Sequence, residues 1–535
     1  MKIYCLKNEY ITVAVQHTIN YLLNRIGFFF DWITDPKQIT DKGLLLVYQP
    51  SRTQAAYQVP TITLIKHFDL ERLHNSNLKW DSIDIGEEKV PILIDANQKS
   101  IDKFTFQLSS YDIIANIYYH LNRLEEINFQ HPDDIDENLN NSILFKHGNF
   151  MIPVVDVLCD FLKQEIEKRF QENKLFLIIK TFYPRGETYG IAITHDVDFI
   201  HAFHPIKKQL IKLFIRLKLK KDTRITEIDR LDANSWGFDR LLPFYRKNNL
   251  KATFFFMAKY IEGLHFRYWI GSKKIRQLFK QLKSEGHEIA FHPSRYTFEK
   301  PKRYFKEKKK LEKISNTQIS GLRHHYLRCL FPEIWQKAAE LNLKYEAGMI
   351  HRRYSGFRAG TCFPYIPFDP ENQKQINIIE FPTTFFENTL PDKGAHYGVS
   401  KETIIKLLAV VKKHGGLFNI LWHSNNIYQP GVYFKLWNFI TSLIIEEDAY
   451  IQPLVEHYNW YNLREQIRID TFKKSKKEYN IYIILPKEVQ YFCLNVPSNY
   501  DYKSKNSLLY DPVKKSLIIE NEQAQSKIVI EARAK

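Results

Sequence analysis

Cysteine is scarce and poorly placed for bonding. The 535 residues hold five, Cys5, Cys159, Cys329, Cys362 and Cys493, far apart and odd in number. That distribution suggests neither a disulfide framework nor a structural zinc site, and it fits a reducing compartment. Long apolar runs are missing too. No run of about 18 apolar residues occurs, so no membrane-spanning helix is expected. The opening residues, Met1-Lys2-Ile3-Tyr4-Cys5-Leu6-Lys7, lack the uninterrupted apolar core of a secretory signal. The expected location is therefore the cytoplasm, with peripheral contact to an anionic inner membrane face left open. There is no C-x-x-C pair and no aromatic-rich basic RNA motif, so nucleic acid is not an expected partner.

Acidic residues are outnumbered, 60 against 77 Lys and Arg, which leaves a net charge of +17. Such an excess favours an acidic partner: nucleic acid, an anionic glycan or a membrane surface. The basic runs, however, are short and scattered (Lys308-Lys309-Lys310, Lys473-Lys474), the pattern of lysines that merely keep a surface soluble. With 44% hydrophobic and 26% charged residues the chain can build real cores. Its length calls for roughly two or three domains.

Residues 1–180 mix strand-like and helix-like patterns and are expected to form an accessory α/β domain whose role the sequence does not state. Residues 2–6, 28–30, 44–48 and 61–65 read as strands. Residues 11–26, 111–127 and 154–170 read as helices, and the polar 128–148 stretch as a loop. From 185 to 465 strand-like runs (190–194, 252–257, 288–292, 319–326, 376–381 and 417–422) recur with helical patterns between them (275–284, 301–314, 332–341 and 401–414). Repeated strand–helix units imply a parallel sheet or barrel whose sites lie at the carboxyl ends of its strands. Residues 466–535 carry short alternating runs separated by polar turns, which predicts a small β-rich module.

The chemically capable residues fall at those strand ends. Ile191-Ala192-Ile193-Thr194-His195-Asp196-Val197-Asp198 reads as a buried strand ending in two aspartates. Strand side chains alternate faces, so Asp196 and Asp198 project to one side and His195 to the other. Two carboxylates crowded on one face need a cation, a proton or a substrate. The remaining strand ends carry His292, then Arg323 with His325 and Tyr326, then Trp422 and His423. His287, five residues before His292, has the opposite parity and is expected to pack in the core.

In order and spacing these pieces resemble the polysaccharide deacetylases of carbohydrate esterase family 4. The resemblance covers roughly residues 185–465. It rests on Thr194-His195-Asp196-Val197-Asp198, Lys251-Ala252-Thr253-Phe254-Phe255-Phe256, Gly286-His287-Glu288-Ile289-Ala290-Phe291-His292, Gly321-Leu322-Arg323-His324-His325-Tyr326 and Leu421-Trp422-His423. It implies a distorted (β/α) barrel that removes acetyl groups from N-acetylated sugars with a divalent metal, zinc in the first instance. It would make Asp196 the general base, Asp198 the metal carboxylate in a D-x-D variant of the motif, and His292 the first metal histidine. Arg323 would orient the base and His423 would protonate the leaving amine. Tyr326 and Trp422 are candidates for substrate contact.

The family's second metal histidine lies four residues after the first, where this chain has Tyr296. A neutral phenol is a poor zinc ligand. His325 at the next strand end could supply the missing nitrogen, which is the preferred reading because a three-ligand open site needs it. Otherwise the site would hold metal weakly, or work without one, or not work. The expected function is hydrolytic N-deacetylation of an acetylated glycan or glycan precursor. The alternatives are a catalytically degenerate glycan-binding scaffold on the same barrel and a metal-independent cyclic amidohydrolase.

Overall fold

The computed structural model describes residues 2–39, 43–50, 57–75, 78–94, 110–131, 142–148, 150–200, 236–259, 261–262, 265–266, 268–298, 300–390, 397–427, 431–475, 477–521 and 524–535, with single residues at 139, 209 and 213. The Asp133–Asn138 part of the expected loop lies outside them.

The central element is a parallel sheet. Its strands run in the order Ile379–Glu380, Tyr345–Glu346, Gly321–Leu322, Glu288–Phe291, Thr253–Phe256, Tyr189–Val197, Leu417–Leu421 and Phe385–Phe386. Ala449–Ile451 adds beside the start of Tyr189–Val197. The two edge strands are neighbours in sequence, joined through residues 381–384, so the sheet must curl back on itself. Thr384 donates its N–H to the Asn419 carbonyl, and the Asn419 amide donates to the Phe381 carbonyl, which ties that joining segment across the seam. This is a distorted (β/α) barrel. Strands such as Thr253–Phe256 are buried on both faces and therefore read as continuous apolar runs.

Helices Lys273–Ser284, Lys302–Ser315, Glu333–Glu340 and Tyr397–His414 cover the outside, close to the expected positions. Phe238–Lys247, Val432–Ile445 and Leu454–Gln466 complete the layer and were not anticipated. Two expected strands shrink. Residues 319–326 yield only Gly321–Leu322 before a tight turn, and 376–381 only Ile379–Glu380. Gly321 is required by close approach, since a Cβ there would sit 1.9 Å from the ring of Tyr345.

That ring carries its hydroxyl to Glu288, 2.7 Å away at the buried floor of the barrel. Glu288 also accepts from the Thr253 hydroxyl (2.8 Å) and the Val455 N–H (3.0 Å). Burial pushes its carboxyl up to about 7, against the downward pull of these three bonds. A carboxyl whose folded pKa exceeds its unfolded value of 4.5 favours the fold below 4.5 and loses that contribution as the pH rises through about 7. The full difference is about 3 kcal/mol. Glu288→Gln should therefore gain stability over the parent on going from about pH 4 to about pH 9, by up to that amount. Urea unfolding at both pH values checks it, and an equal difference at the two would contradict it.

The N-terminal unit holds a parallel sheet in the order Phe30–Ile33, Ile3–Leu6, Leu44–Gln49, Thr61–Ile65, with a hairpin of Lys79–Ile85 and Glu88–Ile94. Helices Val13–Ile26, Ile113–Leu121 and Val154–Glu172 pack with them. The expected strand at 28–30 starts later, because Gly27 closes the first helix in the left-handed region and Phe28 still donates its N–H to the Leu23 carbonyl. The expected helix at 111–127 stops at Leu121, where Arg123 adopts a left-handed conformation.

The C-terminal unit is a sandwich of two antiparallel sheets. One runs Arg468–Lys473, Glu478–Ile484, Lys527–Ala534, Tyr500–Ser504. The other runs Ser507–Asp511, Ser516–Glu520, Tyr491–Asn495 and then Ile179–Lys180. That last strand comes from the segment preceding the barrel. Phe176 and Ile178 enter the sandwich core with it, and Phe176 stacks on Tyr479 at 4.3 Å between ring centroids.

Candidate metal centre

Asp196 ends the Tyr189–Val197 strand one residue from its terminus, and Asp198 follows the strand. As alternation requires, both turn to the same side. Their carboxylates lie 3.7 and 3.2 Å from Nε2 of His292, which itself follows the Glu288–Phe291 strand. His195 turns the other way. Its Nδ1 bonds with the Trp422 carbonyl (2.9 Å) and its Nε2 with the Tyr245 hydroxyl (2.5 Å), and burial drops its pKa to about 3. His287 likewise packs against Tyr245 and Phe254 while its Nδ1 accepts the Ala252 N–H.

His325 opens a single 3-10 turn, His325–Leu327, just after the Gly321–Leu322 strand, and its Nε2 lies 3.3 Å from Asp198. Asp198, His292 and His325 each offer a ligand atom, and these atoms lie within 4.8 Å of one another. Among the described residues this is the only group of its kind. The donor set fits a divalent ion. His292 donates Nδ1–H to the Arg323 carbonyl at 2.6 Å, so in the neutral ring Nε2 is an acceptor. It faces the Asp198 carboxylate, another acceptor, and both buried atoms lack a hydrogen-bond donor. A cation between them, or a second ring proton, reconciles the two. Two imidazoles and one carboxylate with room for further ligands is a donor set that zinc accepts in open sites. Burial opposes ionisation of Asp198. The facing imidazoles of His325 and His292 nevertheless hold it well below the usual carboxylate range.

Tyr296 carries a neutral phenol, a poor zinc donor. It is half-buried, with the Lys259 and Arg295 cations 5.1 and 6.0 Å from its ring centre.

Arg323 is fully buried and spends its guanidinium on four partners. It donates to Asp196 (3.0 Å), the Thr194 and Thr383 hydroxyls (2.8 and 3.2 Å) and the Ala347 carbonyl (2.7 Å), while resting over the Phe255 ring. This fixes one Asp196 oxygen and leaves the other toward the centre.

His423 follows the Leu417–Leu421 strand. Its Nδ1 pairs with Glu387 at 2.7 Å, and its Nε2 points into the site, 3.6 Å from Asp198. Burial disfavours its charge, yet the Glu387 carboxylate raises its pKa to about 10, so the ring carries a proton at neutral pH. Glu387 also accepts the His423 N–H and the Asn426 amide. The sequence reading did not single out Glu387. It follows a strand of only two residues, Phe385–Phe386, which is too short to show a period.

Of the two substrate-contact candidates, the structure keeps one at the mouth. Tyr326 is 44% exposed, with its ring tilted over that of His325 at 3.9 Å. Trp422 is 0% exposed and packs behind the sheet against Phe385, Tyr433 and Trp437, so it offers no face to a ligand, a correction that follows from its parity opposite to His423. Trp236 packs on Phe238 beneath Lys274, on the outer helix layer.

The sequence model of a family of unknown function, DUF7033, matches residues 2–171. No curated protein matches the chain. Among solved structures, a protein described as a polysaccharide deacetylase from Mycobacterium smegmatis is 15% identical over 55% of this chain and 98% of its own, with a TM-score of 0.37. A probable polysaccharide deacetylase from Pseudomonas aeruginosa PAO1 is 13% identical over 53% and 94%, also with a TM-score of 0.37. The peptidoglycan deacetylase PdaC from Bacillus subtilis is 14% identical over 52% and 93%, with a TM-score of 0.26.

Proposed function

We propose that the barrel is a metal-assisted hydrolase that removes acetyl groups from an N-acetylated glycan or glycan precursor. The observation that carries this reading is the convergence of Asp198, His292 and His325 beside two groups prepared for proton transfer, Asp196 held by Arg323 and His423 held by Glu387. An amide is a poor electrophile with a poor leaving group, so its hydrolysis needs activation at the carbonyl, at the water and at the nitrogen. A divalent ion, zinc by the donor set, would be held by Asp198, His292 and His325 and would supply Lewis acidity. Asp196, aimed by Arg323, takes the proton of the attacking water. His423 gives its Nε2 proton to the departing amine, and Glu387 keeps Nδ1–H engaged so that the ring presents Nε2. Tyr326 offers an exposed ring at the mouth on which a sugar face can rest.

The test is acetate release from a panel of N-acetylhexosamine derivatives and oligomers, with purified protein loaded with zinc or cobalt. Release that vanishes in Asp196→Asn supports the reading. A metal-loaded, folded protein that releases no acetate from any of them overturns it. A milder effect is expected from Glu387→Gln. Loss of the carboxylate partner should lower kcat by roughly 10²-fold, within the range for a displaced general acid, with KM little changed. Steady-state kinetics on the best substrate of the panel checks this.

A further inference from the structure

We infer that the N-terminal unit is a structural arm of the metal centre, bracing the turns that carry His325 and Glu387 through the barrel loop 350–362. The inference rests on the functional reading above only for what the centre does. The brace itself is visible in the contacts.

The loop leaves the barrel between the Tyr345–Glu346 and Ile379–Glu380 strands, and one of its sides is fastened to the N-terminal unit. Phe357 donates its N–H to the Phe150 carbonyl (2.8 Å), and the Gly360 carbonyl accepts the Val155 N–H (2.8 Å). Asp156 accepts from the Thr361 hydroxyl and the Cys362 N–H, each at 2.8 Å. Tyr354 packs against Phe145 and Phe150, with ring centres 5.4 and 5.2 Å away. At the middle, Arg358 is buried against Glu126 through a two-point ion pair, while Arg123 donates to the Arg358 carbonyl. Gly356 comes so near that a Cβ would lie 2.3 Å from the Phe150 carbonyl oxygen.

The other side of the same loop holds the catalytic turns. Arg358 also donates to the Ile350 carbonyl (3.2 Å) and reaches the Cys329 sulfur (3.6 Å). Arg352 donates to the Tyr326 carbonyl. Ile350 packs with Leu327, Phe386 and Leu421. Ser355 accepts the Phe386 N–H (3.0 Å), and Gly356 donates to the Thr384 carbonyl (2.9 Å). The His325 turn needs such support. Tyr326 and Leu327 follow the ligand with φ of 61° and 51°, two successive side-chain-bearing residues in the left-handed region. Backbone in that region persists only where its surroundings over-determine it. Glu126 and Arg358 are thus positioning residues, acting on His325 and Glu387 through the loop.

The test uses the full chain with Glu126→Gln, which weakens the brace from the N-terminal side, and Gly356→Ala, which wedges the loop off Phe150. Tyr354→Leu serves as a third variant without a buried charge, in case either of the first two fails to fold. Hydrogen exchange across residues 323–330 and 384–390 should accelerate in the folded variants, and cobalt(II) affinity should fall by about tenfold, as when a supporting partner of a ligand is lost. Wild-type exchange in both segments together with wild-type cobalt affinity in a folded variant would overturn the brace. The two readings fail separately. Wild-type protein that binds cobalt without releasing acetate sinks the deacetylase reading while exchange and affinity still decide the brace. If it binds no cobalt, exchange alone decides it.

Discussion

Replacing His325 by alanine is expected to lower the affinity for zinc or cobalt by roughly 10²-fold or more and to abolish acetate release, whereas Tyr296→Phe leaves both within about twofold. The contrast follows from placement. Nε2 of His325 faces Asp198 at 3.3 Å, and its ligand atom falls within the cluster shared with His292. Tyr296 occupies the position that the usual H-x-x-x-H spacing would give to a ligand, yet it lies under the Lys259 and Arg295 cations. Only two ligands would remain in the His325 variant, one fewer than open zinc sites ordinarily retain. Isothermal titration with each ion, paired with acetate assays, measures the difference. An affinity lost in Tyr296→Phe and retained in His325→Ala would reverse the assignment.

The second large effect is at Arg323. Arg323→Met should destabilise the chain by about 3–5 kcal/mol, because it leaves the Asp196 carboxylate buried without its partner. The cost is not only that of the ion pair. The Ala347 carbonyl would lose its guanidinium donor as well. Arg323→Lys restores the charge but not the planar fork that reaches Asp196, Thr194, Thr383 and Ala347 at once, so only part of the loss should return. Urea unfolding of the three proteins checks this. A destabilisation of Arg323→Met smaller than about 1 kcal/mol would mean that Asp196 finds compensation elsewhere.

What was legible in the sequence follows from what has a period. The strand ending in Thr194-His195-Asp196-Val197-Asp198 is long enough for parity to place both aspartates on one side and His195 on the other, as the geometry has them. Four outer helices were readable from their apolar spacing. Turns and two-residue strands have no period, and there the reading thinned. Residues 319–326 look like one strand, but the chain breaks after Leu322 and turns sharply through Tyr326 and Leu327. Glu387 gave no signal at all, because its role depends on a buried pairing with His423, distant in sequence. The same holds for Glu126 and Arg358, which meet only once two units of the fold have docked. Trp422 reads as a sugar platform beside His423 until its opposite parity is weighed, and that parity buries it.

The strand Ile179–Lys180 has a consequence for how the chain comes to be folded. Its partner, Tyr491–Asn495, lies beyond the whole barrel in sequence. During synthesis the Phe176–Lys180 segment therefore emerges long before the sheet it completes. It waits with an unpaired edge and two apolar side chains, Phe176 and Ile178, without their core. Closure of that sandwich draws together the segments on either side of the barrel, and such sequence-distant pairing is slow to form. The sandwich is thus a clasp across the barrel, one that cannot close until residues 491–495 have been made.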